Sequence, residues 1–157
     1  MRVLGIDPGL RYTGFGCIEV RGTEMHLVHC GVLRVPQKER MPHRLRFIHD
    51  GLDEVIRETS PTLVAIEQVF VHRDRAQTAM QMGHARGVML LAAGQHDIEV
   101  QELSPAEIKR AVAGHGRADK SQIQHAVAAL LNLDEVPDQP DLADALAAAI
   151  AAAARRL

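Results

Sequence analysis

R-V-L-G-I-D at residues 2–7 is the stretch that decides the fold, because a run of small and apolar residues leads directly to an acid. The P-G pair at 8–9 predicts a turn that ends this strand after Asp7. A second stretch of the same kind, T-L-V-A-I-E at 62–67, ends on Glu67. If the two strands pair in parallel, both acids lie at one edge of the sheet, where ligand sites commonly form.

The rest of the chain predicts further strands and helices around these two stretches. Strands are predicted from runs of Val, Ile, Leu and Cys at 13–21, 25–35 and 98–102. Helices are predicted from helical spacing and from the capping boxes S-P-A-E and D-K-S-Q at about 42–58, 77–94, 104–113, 119–131 and 141–155. We therefore predict an α/β fold with a mixed sheet flanked by helices, in a single domain over residues 1–157.

The overall charge does not by itself favour a nucleic-acid ligand. The chain has 18 Lys and Arg against 20 Asp and Glu, which gives a net charge of −2. Nucleic-acid-binding domains are commonly basic. Two bound divalent cations would change the balance to +2, so the local distribution of charge matters more than the total.

The sequence also indicates a compartment. No apolar run reaches the roughly 20 residues that a membrane span needs. The sequence opens directly with a strand, so no signal peptide is expected. Cys17 and Cys30 are expected to be free thiols in a reducing environment. We expect a cytoplasmic protein.

Two further acids stand three residues apart in D-L-A-D-A-L-A at 141–147. Residues at this spacing share a helix face, so Asp141 and Asp144 can point the same way. If this alanine-rich helix packs across the strand ends, both acids meet Asp7 and Glu67 in one site. Four carboxylates need a counter-charge, and oxygen ligands favour Mg²⁺, with Mn²⁺ as a substitute. Two such ions about 4 Å apart can activate a water and stabilise the leaving oxygen during displacement at a phosphodiester.

Each of these acids also has an ordinary structural explanation. Asp141 after a proline could cap a helix, and Asp144 could complement the helix dipole. Asp7 before Pro-Gly is a common turn residue. Glu67 is harder to explain in this way, because an unpaired acid ending a buried strand is costly. The set of four favours a metal site more than any one acid does.

Five segments share a wider pattern. They are G-I-D-P-G-L-R-Y-T-G-F-G at 5–16, A-I-E-Q-V-F at 65–70, G-H-A-R-G-V at 83–88, D-K-S-Q-I-Q-H-A-V at 119–127 and D-L-A-D-A-L-A at 141–147. In order and spacing they resemble the RuvC family, over essentially the whole chain. The resemblance implies a ribonuclease-H-like fold with a mixed five-stranded sheet, a homodimer and Mg²⁺-dependent resolution of Holliday junctions, with the branch-migration complex RuvA–RuvB as a partner.

The resemblance also implies roles for single residues. It places the family's four metal-binding acids at Asp7, Glu67, Asp141 and Asp144. It places basic residues tied to catalysis or phosphate contact at Lys109 and Lys120, and an aromatic that disrupts base stacking at Phe70. The loop at 71–76 departs from the family pattern, which leaves its individual DNA contacts open.

The residue types themselves indicate further DNA contacts. An exposed Phe70 could stack on bases or wedge between them, whereas a core phenylalanine is the alternative. Arg11, Arg73 and Arg75 could hold phosphates, and solvated surface arginines are the alternative for each.

The two lysines differ in strength as candidates. Lys120 lies at a helix start, where a lysine is not expected on dipole grounds, and it could stabilise charge developing on the scissile phosphate. Lys109 has the weaker case, because a lysine on a solvent-facing helix surface is common.

The helix at 77–94 is apolar almost all round and rich in small residues. A merely buried helix is one interpretation. We favour a dimer interface, because two symmetric nicks in a junction need two active sites related by symmetry.

These features predict a Holliday junction resolvase that uses metal-activated water and leaves 5′-phosphate and 3′-hydroxyl ends. A related ribonuclease-H-like nuclease acting on RNA is one alternative. A non-catalytic junction-binding module is another, although it should have lost one or more of the four acids. A kinase-like ATPase would need a second domain, for which the chain has no room.

Overall fold

The computed structural model describes residues 1–69 and 75–157, and these residues form a mixed sheet covered by helices. The strands are β1 Arg2–Asp7, β2 Tyr12–Arg21, β3 Glu24–Arg34, β4 Leu63–Glu67 and β5 Glu99–Leu103. The helices are α1 Met41–Thr59, α2 Ala76–Gln95, α3 Pro105–Ala113, α4 Lys120–Leu130 and α5 Pro140–Ala154. The predicted strands and helices are confirmed, with boundaries that differ by one or two residues.

The strand order across the sheet is β3-β2-β1-β4-β5. β1 pairs antiparallel with β2 and parallel with β4, and β4 pairs parallel with β5. The parallel pairing of β1 with β4, predicted from the two acid-ended stretches, is therefore present. It brings the carboxyl ends of these neighbouring strands to one edge of the sheet.

Each face of the sheet is covered by its own helices. Along β2, Phe15 and Cys17 point into a core shared with α1 and α2. Ile18 and Val20 point into the opposite core, which α3, α4 and α5 complete. Within the described residues, no helix is long and apolar enough to cross a membrane.

Helix α5 approaches the sheet very closely because glycines face it. A Cβ on Gly5 would lie 1.9 Å from the carbonyl oxygen of Ala145, and a Cβ on Gly14 would lie 2.0 Å from that of Asp141. The helix is itself built largely of alanine, so backbone meets backbone. Since Gly14 is also the register partner of Asp7, this contact fixes the start of α5 beside the end of β1.

Two helices begin as their capping boxes predict. Ser104 accepts a hydrogen bond from the backbone N–H of Glu107, and Asp119 accepts one from that of Gln122. Gly114, with φ of 79°, ends α3 in the left-handed conformation that glycine accepts readily. These caps fix the positions of α3 and α4, whose side chains line the site described next.

Candidate active site

The four predicted acids come from three elements that meet at one edge of the sheet. Asp7 ends β1 and Glu67 ends β4, and the register pairs Ile6 with Ile66 immediately before them. Asp141 and Asp144 lie in the first turns of α5, over the same strand ends. Acids that are far apart in sequence are therefore close in space.

Electrostatic coupling shows that the four carboxylates share one environment. Burial, and after it the negative charges of Asp144, Glu67 and Asp141, raise the pKa of Asp7 from 3.8 to about 8. Burial is also the main cause that raises the pKa of Glu67 and that of Asp144. Asp144 adds to the effect on Glu67, and Asp141 adds to the effect on Asp144. The site therefore disfavours negative charge and lacks a full counter-charge.

The structure argues against two of the structural explanations for these acids. The N-cap of α5 is Gln139, so the interpretation of Asp141 as the helix cap is wrong. Asp141 is the acid of the first turn, and Asp144 lies beyond that turn, which weakens the dipole explanation for Asp144. In the part of the chain that the structure describes, none of the four carboxylates forms a salt bridge.

Two lysines stand on the other side of the site. A cavity of about 220 Å³ is lined by Glu67, Pro105, Ile108, Lys109, Asp119, Lys120, Ile123 and Asp144. The positive charge of Lys120 lowers the pKa of Asp7 and of Asp144, while Lys109 acts in the same direction on Glu67 and Asp144. Lys109, the weaker candidate from the sequence, therefore faces the acids as Lys120 does.

A second depression adjoins the first, and it contains residues that the sequence did not single out. It has a volume of about 240 Å³ and is lined by Asp7, Pro8, Glu67, Gln68, Val69, Met82 and Pro105. Met82 belongs to the helix for which the sequence favoured a dimer interface. Asp119 was interpreted as a helix cap, which it is, and it also borders the lysine cavity.

The other candidate DNA contacts lie outside these depressions. Arg11 is exposed in the turn between β1 and β2, and Arg75 is exposed immediately before α2. Phe70 and Arg73 fall outside the described residues.

The four acids lie around a shared space, but their side chains do not converge on a single position. Within residues 1–69 and 75–157, no group of three or more His, Cys, Asp or Glu side chains is arranged to hold a metal ion. The charges of Asp144, Glu67 and Asp141 nonetheless reach Asp7 and raise its pKa. Rotation about the side-chain bonds would let the carboxylates converge, because the strand ends and the start of α5 already hold their backbones at one edge of the sheet.

Comparison with known proteins agrees with this geometry. The family model "Crossover junction endodeoxyribonuclease RuvC" matches residues 3–152. The chain belongs to the RuvC family. A crossover junction endodeoxyribonuclease RuvC from Halorhodospira halophila is 51% identical over 155 residues, which cover 99% of this chain and 91% of that protein. One from Alkaliphilus oremlandii is 46% identical over 150 residues, with 96% and 91% covered.

A solved RuvC structure is similar over the whole fold. The structure of Thermus thermophilus RuvC in complex with a Holliday junction substrate matches with a TM-score of 0.92 and 36% identity. The match covers 98% of this chain and 93% of that one. The predicted ribonuclease-H-like fold and the membership of the RuvC family are therefore confirmed, and the family's activity is that of a Holliday junction endonuclease.

Proposed function

We propose that this chain cuts four-way DNA junctions by hydrolysing phosphodiester bonds at the site formed by Asp7, Glu67, Asp141 and Asp144. The observation that carries the assignment is the meeting of four carboxylates from β1, β4 and α5 at one edge of the sheet, where burial and the other three acids raise the pKa of Asp7 to about 8. A structural role would not require four uncompensated carboxylates to meet at one edge of the sheet. Membership of a family of DNA junction endonucleases supports the same reaction.

We further propose that the counter-charge is a divalent cation, Mg²⁺, with two ions per site and Mn²⁺ as a substitute. The donors fit, because all four are carboxylates and hard oxygen ligands suit these ions. The negative potential that raises the pKa of Asp7 is one that a cation would relieve. When bound, such ions supply a water of lowered pKa and positive charge for the departing 3′ oxygen.

The chain's own residues bind and orient the phosphate. Lys120 and Lys109 project into the cavity opposite the acids, where their positive charges can stabilise the scissile phosphate as its charge increases. The apolar side chains of Ile108 and Ile123 line the same cavity and limit the access of water. Hydrolysis with a departing 3′ oxygen leaves 5′-phosphate and 3′-hydroxyl ends.

We propose a homodimer formed through α2. Among the described residues, Met80 and Leu91 leave 60% and 53% of their surface exposed, although both are large and apolar. Gly83 and Gly87 lie between them at helical spacing, and a Cβ on either would meet nothing within 4 Å. An apolar stripe interrupted by open glycines fits the close approach of a second copy of the helix.

Further partners and contacts belong to the same proposal. Phe70, Arg73, Arg75 and Arg11 would contact the junction, Phe70 by stacking and the arginines through phosphates. The branch-migration complex RuvA–RuvB would act with the enzyme. We propose a cytoplasmic location, because the enzyme would act on the DNA inside the cell.

The test is cleavage of a synthetic mobile four-way junction by wild type and Asp7→Asn, with Mg²⁺ or with a chelator. The wild type should make paired, opposite nicks only with Mg²⁺, and Asp7→Asn should bind the junction without cutting it. A linear DNA duplex and an RNA–DNA hybrid serve as comparison substrates in the same assay. Equal cutting by both proteins would refute the role of Asp7. Preferred cutting of the hybrid would favour the RNA-processing alternative, and binding without any cutting by wild type would favour the non-catalytic module.

A further inference from the structure

A separate groove opens beside Asp141, on the face of the sheet that α5 covers. It has a volume of about 270 Å³ and is lined by Tyr12, Val32, Arg34, Gln139, Pro140 and Asp141. Tyr12 lies two residues before Gly14, which faces the start of α5, so both positions lie on the same face of β2. Since Asp141 also belongs to the four-acid site, the groove adjoins that site.

Tyr12 is an exposed aromatic residue that lies beside the four-acid site. It leaves 46% of its surface exposed, and Phe47, which is 42% exposed, does not line this groove. Its side chain forms no hydrogen bond with the residues that the structure describes, and it lines the groove. An accessible aromatic ring offers a platform on which a nucleic-acid base can stack, whatever its sequence.

Arg34 is the register partner of Tyr12 and supplies charge to the same groove. Within residues 1–69 and 75–157 it forms no salt bridge. Arg11 and Lys38 are likewise exposed and without a salt bridge there, on two adjoining loops. The backbone N–H of Val35 donates to the carbonyl oxygen of Arg11, which holds these loops together. A chain with net charge −2 thus places a basic rim beside its acidic site.

We propose that this groove binds the DNA strand on one side of the scissile phosphate, with Tyr12 against a base or deoxyribose and Arg34 on a phosphate. The charges of the lining residues set this arrangement, because the carboxylate of Asp141 repels a phosphate and the guanidinium of Arg34 attracts one. The inference rests on the proposed function, since it extends the path of the strand that the four acids would cut.

Photo-crosslinking tests the placement of Tyr12. Junctions carry 5-iodouracil at single positions on either side of the cleavage site, and they are irradiated in complex with the uncleaving Asp7→Asn protein. We expect a crosslink to the peptide that contains Tyr12 from positions on one side only. The crosslink should persist with Tyr12→Phe and disappear with Tyr12→Ala. Crosslinks elsewhere, with none to this peptide from any position, would overturn the proposal.

The salt dependence of binding tests Arg34. Log affinity falls linearly with log salt concentration, and Arg34→Ala should make this slope less negative by about 0.9, the contribution of one phosphate contact. Arg21→Ala is the matched control, because Arg21 lies at the opposite end of β2, roughly 30 Å away at 3.3 Å per residue. It removes the same charge and should leave the slope unchanged.

Cleavage separates this inference from the proposed function. Tyr12→Ala should lower junction affinity about tenfold, the effect of losing one stacked base, and Tyr12→Phe should restore it. If both groove variants bind and cut as wild type while Asp7→Asn is inactive, the groove proposal fails and the four-acid site stands. If wild type cuts no junction with Mg²⁺, the proposed function itself fails.

Discussion

Asp7 is the residue at which the requirements of folding and of the proposed function oppose each other. Its carboxyl is largely buried among other acids, so its pKa rises from 3.8 to about 8. In the unfolded chain the same group ionises near its ordinary value. The folded, metal-free protein therefore retains a proton that the unfolded chain releases between these two pH values.

This difference gives a prediction for Asp7→Asn in the presence of a chelator. A raised folded-state pKa means that the stability of the wild type falls as pH rises from about 4 to about 8, and changes little above that. Asparagine does not ionise, so the variant should match wild type near pH 4 and become more stable relative to it as pH rises, by roughly 5 kcal/mol at pH 8. Thermal unfolding at pH 4 to 9 measures this.

The matched control for that experiment is Asp134→Asn, which changes an exposed aspartate between α4 and α5. Its stability relative to wild type should not grow with pH. A constant difference for Asp7→Asn across the whole range would mean that the carboxyl of Asp7 is not held in an unfavourable environment.

At the scale of elements, the sequence predicted most of what positions the site. Ser104 and Asp119 could be predicted as caps because each bonds to a residue three positions later, and such local bonds depend little on tertiary structure. The acids that end β1 and β4 were predictable because a buried strand can be identified from its apolar run.

The parts that could not be predicted depend on contacts between distant segments. Lys109 faces Glu67 only because α3 packs against α5 and α4, and no local pattern distinguishes it from a solvent-facing lysine. The groove at Tyr12 depends on the register of β2 with β3 and on where α5 begins. The sequence favoured a dimer interface on α2, but it could not tell which face stays exposed because the helix is apolar almost all round.

The contact between α5 and β2 leads to a prediction for Gly14→Ala. The added Cβ would lie 2.0 Å from the carbonyl oxygen of Asp141, so the start of α5 must move away from the sheet. Such overpacking costs about 1–3 kcal/mol of stability. Since Asp141 and Asp144 move with the helix, junction cleavage should fall about 100-fold, because misplaced catalytic groups lose rate steeply.

Single-turnover cleavage and thermal unfolding are measured together for this variant. Gly94→Ala is the control, because a Cβ at Gly94 meets nothing within 4 Å. It should keep the wild-type rate. Cleavage by Gly14→Ala at the wild-type rate would show that the close approach of α5 does not position its two acids.

For the whole molecule, the proposed dimer determines whether the enzyme resolves a junction or only nicks it. Leu91 is 53% exposed on the stripe that also contains Gly83 and Gly87. Leu91→Glu should place a charge in the interface of each subunit and shift the protein to a monomer in analytical ultracentrifugation.

The consequence appears in the products from a cruciform plasmid. A dimer makes both nicks within one complex and yields linear DNA, whereas a monomer of Leu91→Glu should yield mainly nicked circles. Leu130→Glu is the matched control, because Leu130 is 41% exposed on α4, away from the stripe. It should remain dimeric and produce linear DNA. If Leu91→Glu also remains dimeric and resolves the cruciform, the dimer is formed by a different surface, since a buried unpaired carboxylate at a real contact would be too costly to retain.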